Sequence, residues 1–344
     1  MPKASKMHGK QTLLYESPPY VLGYAAIGGK KEGEGPLGSY FDLVNEDPLF
    51  GKKTWEEAES AMQKTACQYA LDKAGLQSQD IRYLYGGDLL GQLIATSFGI
   101  ESFGIPMFGI YGACSTMGEG LSLASMAIDG GFAEKTMAVT SSHFAGAEKQ
   151  FRFPLAYGNQ RPYSATWTVT GSGCMILGKT KTKNAIDVVI TGITTGKVVD
   201  YGVKDSMNMG ACMAPAAADV IYANLKELNR KPEYYDKIIT GDLGTIGRDI
   251  TIDILREKGY DISEQYMDCG IEIFDPTEQD THAGGSGCGC SAITLNGYII
   301  EMLRRKQWNR VLFVPTGALL SPTSYNEGDS VPGIAHGVMF ETVG

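Results

Sequence analysis

One cysteine of this sequence has the setting of a reactive thiol. Cys114 stands in the turn Gly-Ala-Cys-Ser-Thr (112–116), between an apolar segment that predicts a strand and a run of small residues that predicts a helix. At such a helix start, backbone N–H groups and the helix dipole stabilise a thiolate, and they also bind a small anion without any covalent step. Since Ala or Ser would serve packing alone, the turn indicates a nucleophile or a carboxylate-binding site.

Other polar candidates stand where predicted strands end or begin. Asp88 and Asp242 occur in the similar strings Tyr-Gly-Gly-Asp-Leu-Leu-Gly and Ile-Thr-Gly-Asp-Leu-Gly, where a carboxylate either caps a helix or meets a ligand. His143 follows a predicted strand, His282 lies in a glycine-rich turn, and His336 begins the last predicted strand. Each imidazole is therefore either a functional group or the partner of a turn carbonyl.

Aromatic and basic residues are dense between positions 151 and 167. They are Phe151, Arg152, Phe153, Tyr157, Arg161, Tyr163 and Trp167. A flat aromatic diacid requires a stacking face and a cationic or N–H partner for each carboxylate. Arg152 or Arg161 could supply one partner, and the helix start at Cys114 the other. A packed loop at a subunit interface is the alternative, and both interpretations can hold together.

The elements that must position these residues are predicted by the apolar periodicity. The first half reads as a helix over 55–74, a strand over 81–87, a strand over 107–111, a helix over 117–129 and a strand over 135–140. Alternating strands and helices of this kind predict an α/β fold.

The second half repeats the same order of elements. It reads as a strand over 185–195, helices over 216–228 and 248–258, and a long helix from the glycine turn at 284–291 to about residue 305. Residues 200–215 lack periodicity and are predicted to be a surface crossing. The repeat predicts two duplicated halves, residues 11–183 and 184–344, with mixed, largely parallel sheets and helices around and between them.

Composition excludes several classes of function. The chain has 344 residues, of which 43% are hydrophobic and 20% charged, with a formal net charge of −9. This acidic balance argues against nucleic-acid binding, and no basic cluster indicates a docking collar for an acidic carrier protein. No apolar run follows the N-terminal lysines and no segment has the roughly 18 uninterrupted apolar residues of a spanning helix, so neither secretion nor a transmembrane segment is expected.

Cysteine usage indicates reduced thiols and no metal site. The seven cysteines form an odd number in a chain without an export signal, which favours free thiols over a disulfide framework. The spacing of Cys288 and Cys290 is too tight for a zinc knuckle, and no second cysteine pair accompanies them. No resident cofactor is expected.

The cysteine turn and the duplication together resemble the thiolase superfamily, and within it the ketoacyl synthases of the initiating type. The resemblance implies a five-layered αβαβα fold with a nucleophilic cysteine at Cys114. In that pattern Asp242 stands where the first His or Asn should follow its strand, and Ser286 falls near the usual Asn. His282 lies near the Gly-His-Pro turn, and His336 near the second, C-terminal Cys of thiolases. The acyl-transfer set is thus only partial.

Longer strings resemble the stage V sporulation protein AD family. They are Gly-Gly-Asp-Leu-Leu-Gly-Gln (86–92), Gly-Ala-Cys-Ser-Thr (112–116), Asp-Gly-Gly-Phe-Ala (129–133), Thr-Ser-Ser-His (140–143), Met-Ala-Pro-Ala-Ala-Ala-Asp (213–219), Ala-Gly-Gly-Ser-Gly-Cys (283–288) and Ile-Ala-His-Gly-Val (334–338). This resemblance implies binding of dipicolinic acid, pyridine-2,6-dicarboxylate, during its uptake into the developing spore. It also implies membrane-protein partners of the same uptake system, a place in the forespore at the periphery of the inner membrane, and calcium only as part of the bound ligand.

Two functional hypotheses follow. The favoured one is a non-catalytic binding protein that has reused a condensing-enzyme pocket, with ligand contacts drawn from the candidate residues above. The alternative is an acyl-transfer enzyme in which Cys114 is acylated and His282 or His336 is the base. A purely structural scaffold is a third possibility. Proteins of this fold are usually homodimers, and the apolar, glycine-rich segment 98–111 is the expected contact.

Overall fold

The computed structural model describes residues 6–151 and 161–344. Strands and helices alternate along most of this part of the chain. The strands are β1 (Met7–His8), β2 (Thr12–Leu14), β3 (Tyr20–Gly29), β4 (Leu43–Asn45), β5 (Tyr83–Asp88), β6 (Met107–Gly109), β7 (Lys135–Ser142), β8 (Trp167–Thr168), β9 (Gly171–Gly178), β10 (Val188–Thr195), β11 (Lys237–Thr240), β12 (Tyr266–Asp268), β13 (Gly285–Ser286), β14 (Arg310–Val314), β15 (Thr316–Ala318) and β16 (Gly333–Thr342).

The helices connect these strands and cover the sheets. They are α1 (Lys30–Gly33), α2 (Trp55–Ala74), α3 (Ile94–Ile100), α4 (Thr116–Asp129), α5 (Phe144–Phe151), α6 (Met209–Glu227), α7 (Gly244–Glu257), α8 (Cys269–Glu272), α9 (Cys288–Thr294), α10 (Ile300–Arg304) and α11 (Pro322–Asn326). A π-helical turn, Leu295–Ile299, joins α9 to α10, so the long helix expected after the glycine turn is present but interrupted.

The same strand order occurs in both halves of the described chain. One half runs β3-β9-β7-β5-β6 and the other β10-β16-β14-β11-β12. In each half the three outer strands are parallel and the inner pairings are antiparallel, so the sheet is mixed as predicted. The two halves meet where β3 pairs with β10, at Tyr20 and Val189.

Helices form three layers around these strands. Helices α2 and α3 pack together, with α2 on β3 and β9, while α6 and α7 pair in the same way, with α6 on β16. Between the two halves, α4 contacts strands of both, and it also contacts α9. This is the expected five-layered αβαβα arrangement. It buries both cysteine turns, since α4 begins just after Cys114 and α9 begins at Cys288.

Local sequence explains where α2, the longest of the described helices, begins and ends. The Thr54 hydroxyl accepts a hydrogen bond from the Glu57 backbone N–H at 3.2 Å and caps α2. At the other end Gly75 is left-handed, with φ of 66°, which ends the helix. The face of α2 between these ends carries Ala58, Met62 and Ala66, all fully buried against the sheet.

The prediction of a surface crossing over residues 200–215 is wrong in its second part. Helix α6 begins at Met209, after Asn208 accepts a hydrogen bond from the Ala211 N–H, and it continues through Pro215. Proline costs a helix one hydrogen bond and argues against helix from sequence alone. Here tertiary packing prevails, because Gly210 fits so closely against α7 that an added Cβ would lie 2.4 Å from the Leu243 carbonyl oxygen.

None of the helices in the described residues is long and apolar enough to cross a membrane. Several exposed apolar side chains, among them Met107, Phe108 and Tyr111, lie in or just after β6, the last strand of the sheet in the first half.

Candidate functional site

The turn that carries Cys114 is held in a tight and partly strained conformation. Ala113 has a φ of 50°, a left-handed conformation that residues with a Cβ seldom adopt. The Ser115 hydroxyl donates to the Gly112 carbonyl at 2.7 Å, and the Thr116 hydroxyl donates to the Ala113 carbonyl at 2.6 Å. The result is a sharp elbow that places the thiol at the start of α4.

A strand from the other half closes over this elbow. Gly317 in β15 lies so near that an added Cβ would be 2.1 Å from the Gly112 carbonyl oxygen and 3.2 Å from the Cys114 nitrogen. Only glycine permits this approach. The site is therefore built from both halves of the chain, with Cys114 on one side and β15 on the other.

The expectation of a stabilised thiolate at Cys114 is wrong. The residue is only 4% exposed, and burial raises the pKa of its thiol well above the ordinary value, with the Asp242 carboxyl raising it further. The Gly287 N–H favours the thiolate but does not outweigh these effects. At neutral pH Cys114 is thus a protonated thiol and a poor nucleophile.

Asp242 lies beside that thiol, just after the end of β11. Its Oδ2 accepts hydrogen bonds from the Gly287 N–H at 2.8 Å and from the Ser286 hydroxyl at 3.3 Å. Burial raises the pKa of Asp242 to about 7, while the Cys114 thiol and the Gly287 N–H act in the opposite direction. Near pH 7 this carboxyl exchanges between its acidic and ionised forms, and its Oδ1 has no hydrogen-bond partner in the described residues.

Cys114, Asp242 and Ser286 thus meet at one place. Ser286 and Cys114 line the same cavity. Asp242 is not part of the lining but accepts the hydrogen bond of the Ser286 hydroxyl. These are the three positions at which the resemblance to condensing enzymes placed a cysteine, a His or Asn, and an Asn. The geometry brings them together, but the chain supplies a carboxyl and a hydroxyl where the acyl-transfer pattern has an imidazole or an amide.

The cavity at Cys114 is small. Its volume is about 30 Å³, which is the space of a single water molecule. Its walls come from several elements of both halves, namely Leu89, Tyr111, Ala113, Cys114, Ala147, Glu148, Phe151, Thr168, Met209, Ser286, Ala318 and Leu320. No Lys or Arg is among these described lining residues. A ligand larger than water requires the walls to move.

Asp88, the counterpart of Asp242 in the first half, lies in a buried polar cluster next to this cavity. It accepts hydrogen bonds from the Leu90 N–H at 3.0 Å, the Thr96 N–H at 3.0 Å and the Thr96 hydroxyl at 2.7 Å. Buried Glu59 is close enough for Asp88 to help raise its pKa to about 8, although burial is the larger cause. Asp88 thus anchors the loop and first turn of α3, and the next residue, Leu89, reaches the cavity.

Two of the candidate histidines lie outside the cavity lining. His282 bonds the Pro162 carbonyl through Nδ1 at 2.8 Å and lies 3.2 Å from Asp280 through Nε2, in a turn on the surface. His336 is buried in β16, where burial lowers the pKa of its imidazole to about 4. Its backbone packs against the first turn of α4, since a Cβ on Gly118 would lie 2.9 Å from the His336 carbonyl oxygen.

The candidates His143 and Arg161 lie on the side of β8 that faces away from the Cys114 cavity. His143 bonds the Pro48 carbonyl through Nε2 at 2.9 Å and accepts from the Ala145 N–H through Nδ1 at 3.2 Å, so both ring nitrogens are occupied. Arg161 pairs with Asp280 at 2.9 Å and stacks on Trp167, with 5.0 Å between guanidinium and ring centre. Arg152 lies outside the described residues.

Several residues near the cavity were not predicted from sequence. Glu148 and Tyr111 line it, and Asp268 performs the helix-capping role that was one of the two alternatives for Asp242. Asp268 accepts from the Leu243 N–H at 2.9 Å and the Gly244 N–H at 3.2 Å, at the start of α7. Its position directly after a predicted strand and before a Cys-Gly pair was the only available signal.

The fold and the site together define a thiolase-like protein with an altered acyl-transfer set. The structure is similar to that of 3-oxoacyl-[acyl-carrier-protein] synthase III from Aquifex aeolicus VF5, with a TM-score of 0.56, 13% identity, and coverage of 94% of this chain and 99% of that chain. It is also similar to cerulenin-bound OleA from Xanthomonas campestris, with a TM-score of 0.60, 12% identity, and coverage of 96% of this chain and 100% of that chain. At these identities the similarity concerns the fold.

Sequence comparison is more specific. The profile of the family described as Stage V sporulation protein AD (SpoVAD) matches residues 9–341. Stage V sporulation protein AD of Bacillus subtilis (strain 168) is 45% identical over 339 residues, which cover 98% of this chain and 99% of that protein. The chain belongs to the stage V sporulation protein AD family.

Proposed function

We propose that this protein binds dipicolinic acid for its uptake into the developing spore and catalyses no acyl transfer. The observation that carries the proposal is the carboxyl of Asp242 beside Cys114, at the position where a condensing enzyme has a His or Asn. Membership of a sporulation family supports the setting. The identity of the ligand is what the resemblance of the sequence to this family implies.

The chemistry of the site argues against acyl transfer. A cysteine nucleophile needs a base to take its proton and N–H donors to hold the oxyanion. The neighbouring Asp242 raises the pKa of the Cys114 thiol, and neither His282 nor His336 lines the cavity. The strained elbow at Ala113 favours the enzyme, because it places Cys114 at the start of α4 and beside the cavity.

An intact-mass measurement separates the two functions. We expect the protein to remain unmodified after incubation with acetyl-coenzyme A, in the wild type as in a Cys114→Ala control. An adduct of one acetyl group that disappears in Cys114→Ala would establish the acyl-transfer enzyme and remove the non-catalytic proposal.

The walls of the cavity bear on the form of the ligand. A dipicolinate dianion would meet the carboxyl of Asp242, which is partly ionised near pH 7 and lies beside the cavity. Calcium bound between the two carboxylates of the ligand would cancel this charge. We therefore expect the calcium chelate to bind at least as well as the free dianion, with calcium present only as part of the ligand.

Calorimetry with isomeric diacids tests the ligand. Pyridine-2,6-dicarboxylate should bind with a clear heat, with and without one equivalent of calcium, and pyridine-2,4-dicarboxylate should bind at least about tenfold more weakly, since its carboxylates cannot both chelate with the ring nitrogen. Equal and weak heats for both isomers would refute dipicolinate binding.

The exposed edge of the first half supports a homodimer. Met107, Phe108 and Tyr111 in and after β6 are 38%, 51% and 37% exposed, and Leu123 and Met126 of α4 are exposed as well. Apolar surface of this kind at an unpaired edge strand is typical of a subunit contact. We propose a dimer through this edge and peripheral association with membrane partners of the spore uptake system. Sedimentation of wild type and Phe108→Glu tests the dimer, because the charge should produce monomers.

A further inference from the structure

A second, larger cleft lies on the other side of β8 from the Cys114 cavity. Its volume is about 450 Å³, within the range of small-ligand sites, whereas the cavity at Cys114 holds one water. Strand β8 divides the two spaces, since Trp167 lines the cleft and Thr168 lines the cavity, as successive strand residues face opposite sides. Helix α5 joins them, with Phe144 at the cleft and Phe151 at the cavity.

One part of the cleft wall is aromatic and held in place, and the other part carries Lys30, Lys31, Glu32, Glu34 and Glu46. Phe144 stacks on Trp167 with 4.1 Å between ring centres and 10° between ring planes. Trp55 lies on the His143 ring at 5.4 Å, and that imidazole is fixed by two hydrogen bonds. Rings positioned by such contacts form a preorganised face for a flat ligand, and they lose little conformational entropy when it binds.

The Lys31 ammonium in the cleft can donate further hydrogen bonds. The Lys31 ammonium lies over Trp167, 4.4 Å from the ring centre, and donates to the Gln279 carbonyl. No carboxylate of the described residues lies within ion-pair distance of it, and Glu32, Glu34 and Asp280 act on it only at longer range. An ammonium has three donors, so two have no acceptor among the residues that the structure describes and could bind an anion.

The charges around Lys31 are of both signs: burial lowers the pKa of its ammonium most, Glu32 raises it, and Arg161 lowers it. Arg161, which stacks on the same Trp167 ring, repels the Lys31 ammonium, and partial burial removes water from it. A carboxylate placed there would offset both effects. Lys30 is different, since it is 56% exposed and already lies 3.4 Å from Glu46 and 3.9 Å from Glu34.

We infer that this cleft is a binding site for a planar aromatic carboxylate, which lies against the aromatic wall and pairs with Lys31. The inference rests on the proposed function for its biological ligand, and it places the first recognition of the carboxylate outside the Cys114 cavity. The shared helix α5 then offers a short route between the two spaces.

The experiment uses the intrinsic fluorescence of the full chain. Two of its three tryptophans, Trp55 and Trp167, line the cleft, and Trp308 packs elsewhere against Tyr298. In a Trp308→Phe background, pyridine-2,6-dicarboxylate and benzoate should both change the emission. Lys31→Met should weaken both affinities about tenfold or more, as expected for a lost hydrogen bond to a charged group, whereas the adjacent Lys30→Met should leave them within about twofold.

A conservative variant controls for folding. Lys31→Arg keeps the positive charge and should retain most of the affinity, and all variants should keep the melting temperature of the parent. Binding of pyridine-2,6-dicarboxylate that is indifferent to Lys31→Met would overturn the cleft and leave the proposed function standing. Binding of benzoate but not of pyridine-2,6-dicarboxylate would keep the cleft and remove the proposed function, and binding of neither would remove both.

Discussion

Cys114 and Cys288 occupy equivalent places in the two halves, yet only one of them borders a cavity. Each stands at the start of a helix of the central layer, α4 or α9. Cys114 contributes to the cavity wall, whereas the Cys288 thiol is fully buried and donates to the Ser141 carbonyl at 2.9 Å. A cysteine turn therefore becomes a site only where the neighbouring elements leave space beside it.

The carboxyl groups near the two thiols also differ, in their identity and in their hydrogen bonds. Asp242 of the second half raises the pKa of the Cys114 thiol, whereas Glu59 and Asp88 of the first half, together with Asp242, raise that of the Cys288 thiol. Asp88 is saturated with three hydrogen bonds, whereas Asp242 keeps one oxygen without a partner in the described residues. The duplication has thus produced two thiol–carboxyl centres, of which one is sealed and one is open.

The largest expected difference between the Cys114 and Cys288 turns concerns the residue that follows each cysteine. A Cβ on Gly289 would lie 2.4 Å from the Ser142 hydroxyl and 2.6 Å from the Gly171 carbonyl oxygen, and the backbone cannot give way. We expect Gly289→Ala to lower the free energy of unfolding by about 3 kcal/mol. The equivalent Ser115→Ala loses only its bond to Gly112, a cost of about 1 kcal/mol. Urea unfolding of both variants measures the difference, and equal losses would contradict it.

The sealed centre should also give the protein a pH-dependent stability. Burial raises the pKa of Glu59 from 4.5 to about 8, so between these pH values the unfolded chain releases a proton that the folded chain keeps. Stability therefore falls as pH rises through this window, by up to about 1.4 kcal/mol per pH unit for this group, and levels off above it.

Glu59→Gln should flatten that slope, because the amide does not titrate and its oxygen can still accept from the Ser141 hydroxyl. Chemical unfolding at several pH values across the window measures the slope, with exposed Glu264→Gln as the control that keeps the wild-type value. A slope unchanged in Glu59→Gln would show that other groups, such as Asp242, dominate the titration.

Thiol reactivity separates the open cysteine from the sealed one. Burial raises the pKa of both thiols, so both should react with iodoacetamide far more slowly than a free cysteine. Cys114 borders a space large enough for a water molecule, so we expect its rate to exceed that of Cys288 by about tenfold. Peptide mass spectrometry after timed alkylation gives both rates from one sample. Faster labelling of Cys288 would mean that the sealed centre opens more readily than the cavity.

Sequence reasoning captured the fold because its signals are local and repeated. Apolar periodicity and glycine turns located α2, α4 and β7, and the duplicated landmarks anticipated the repeated strand order. The convergence of Cys114, Asp242 and Ser286 was implied by the resemblance to condensing enzymes, in whose pattern all three positions belong to one site.

Other features depend on packing between distant segments and were missed. The protonation of Cys114 follows from burial under β15, whose approach depends on Gly317 in the other half of the chain. The start of α6 before Pro215 and the capping by Asp268 likewise depend on contacts with α7. His282 and Arg161 seemed suitable ligands by residue type, but their mutual partner Asp280 became evident only in three dimensions.

The smallest predicted effect concerns the residue before each cysteine. Gly287, before Cys288, has a φ of 97° and is free of strain because it lacks a Cβ, whereas Ala113, before Cys114, holds a φ of 50° with one. Left-handed backbone costs a residue with a Cβ about 1 kcal/mol, and glycine recovers most of this at some cost in unfolded-state entropy. Ala113→Gly should therefore raise the free energy of unfolding by about 0.5 kcal/mol, while Gly287→Ala should lower it. If Ala113→Gly were instead destabilising in urea unfolding, the Ala113 methyl group would contribute more through its contacts with the cavity wall than its backbone loses through strain.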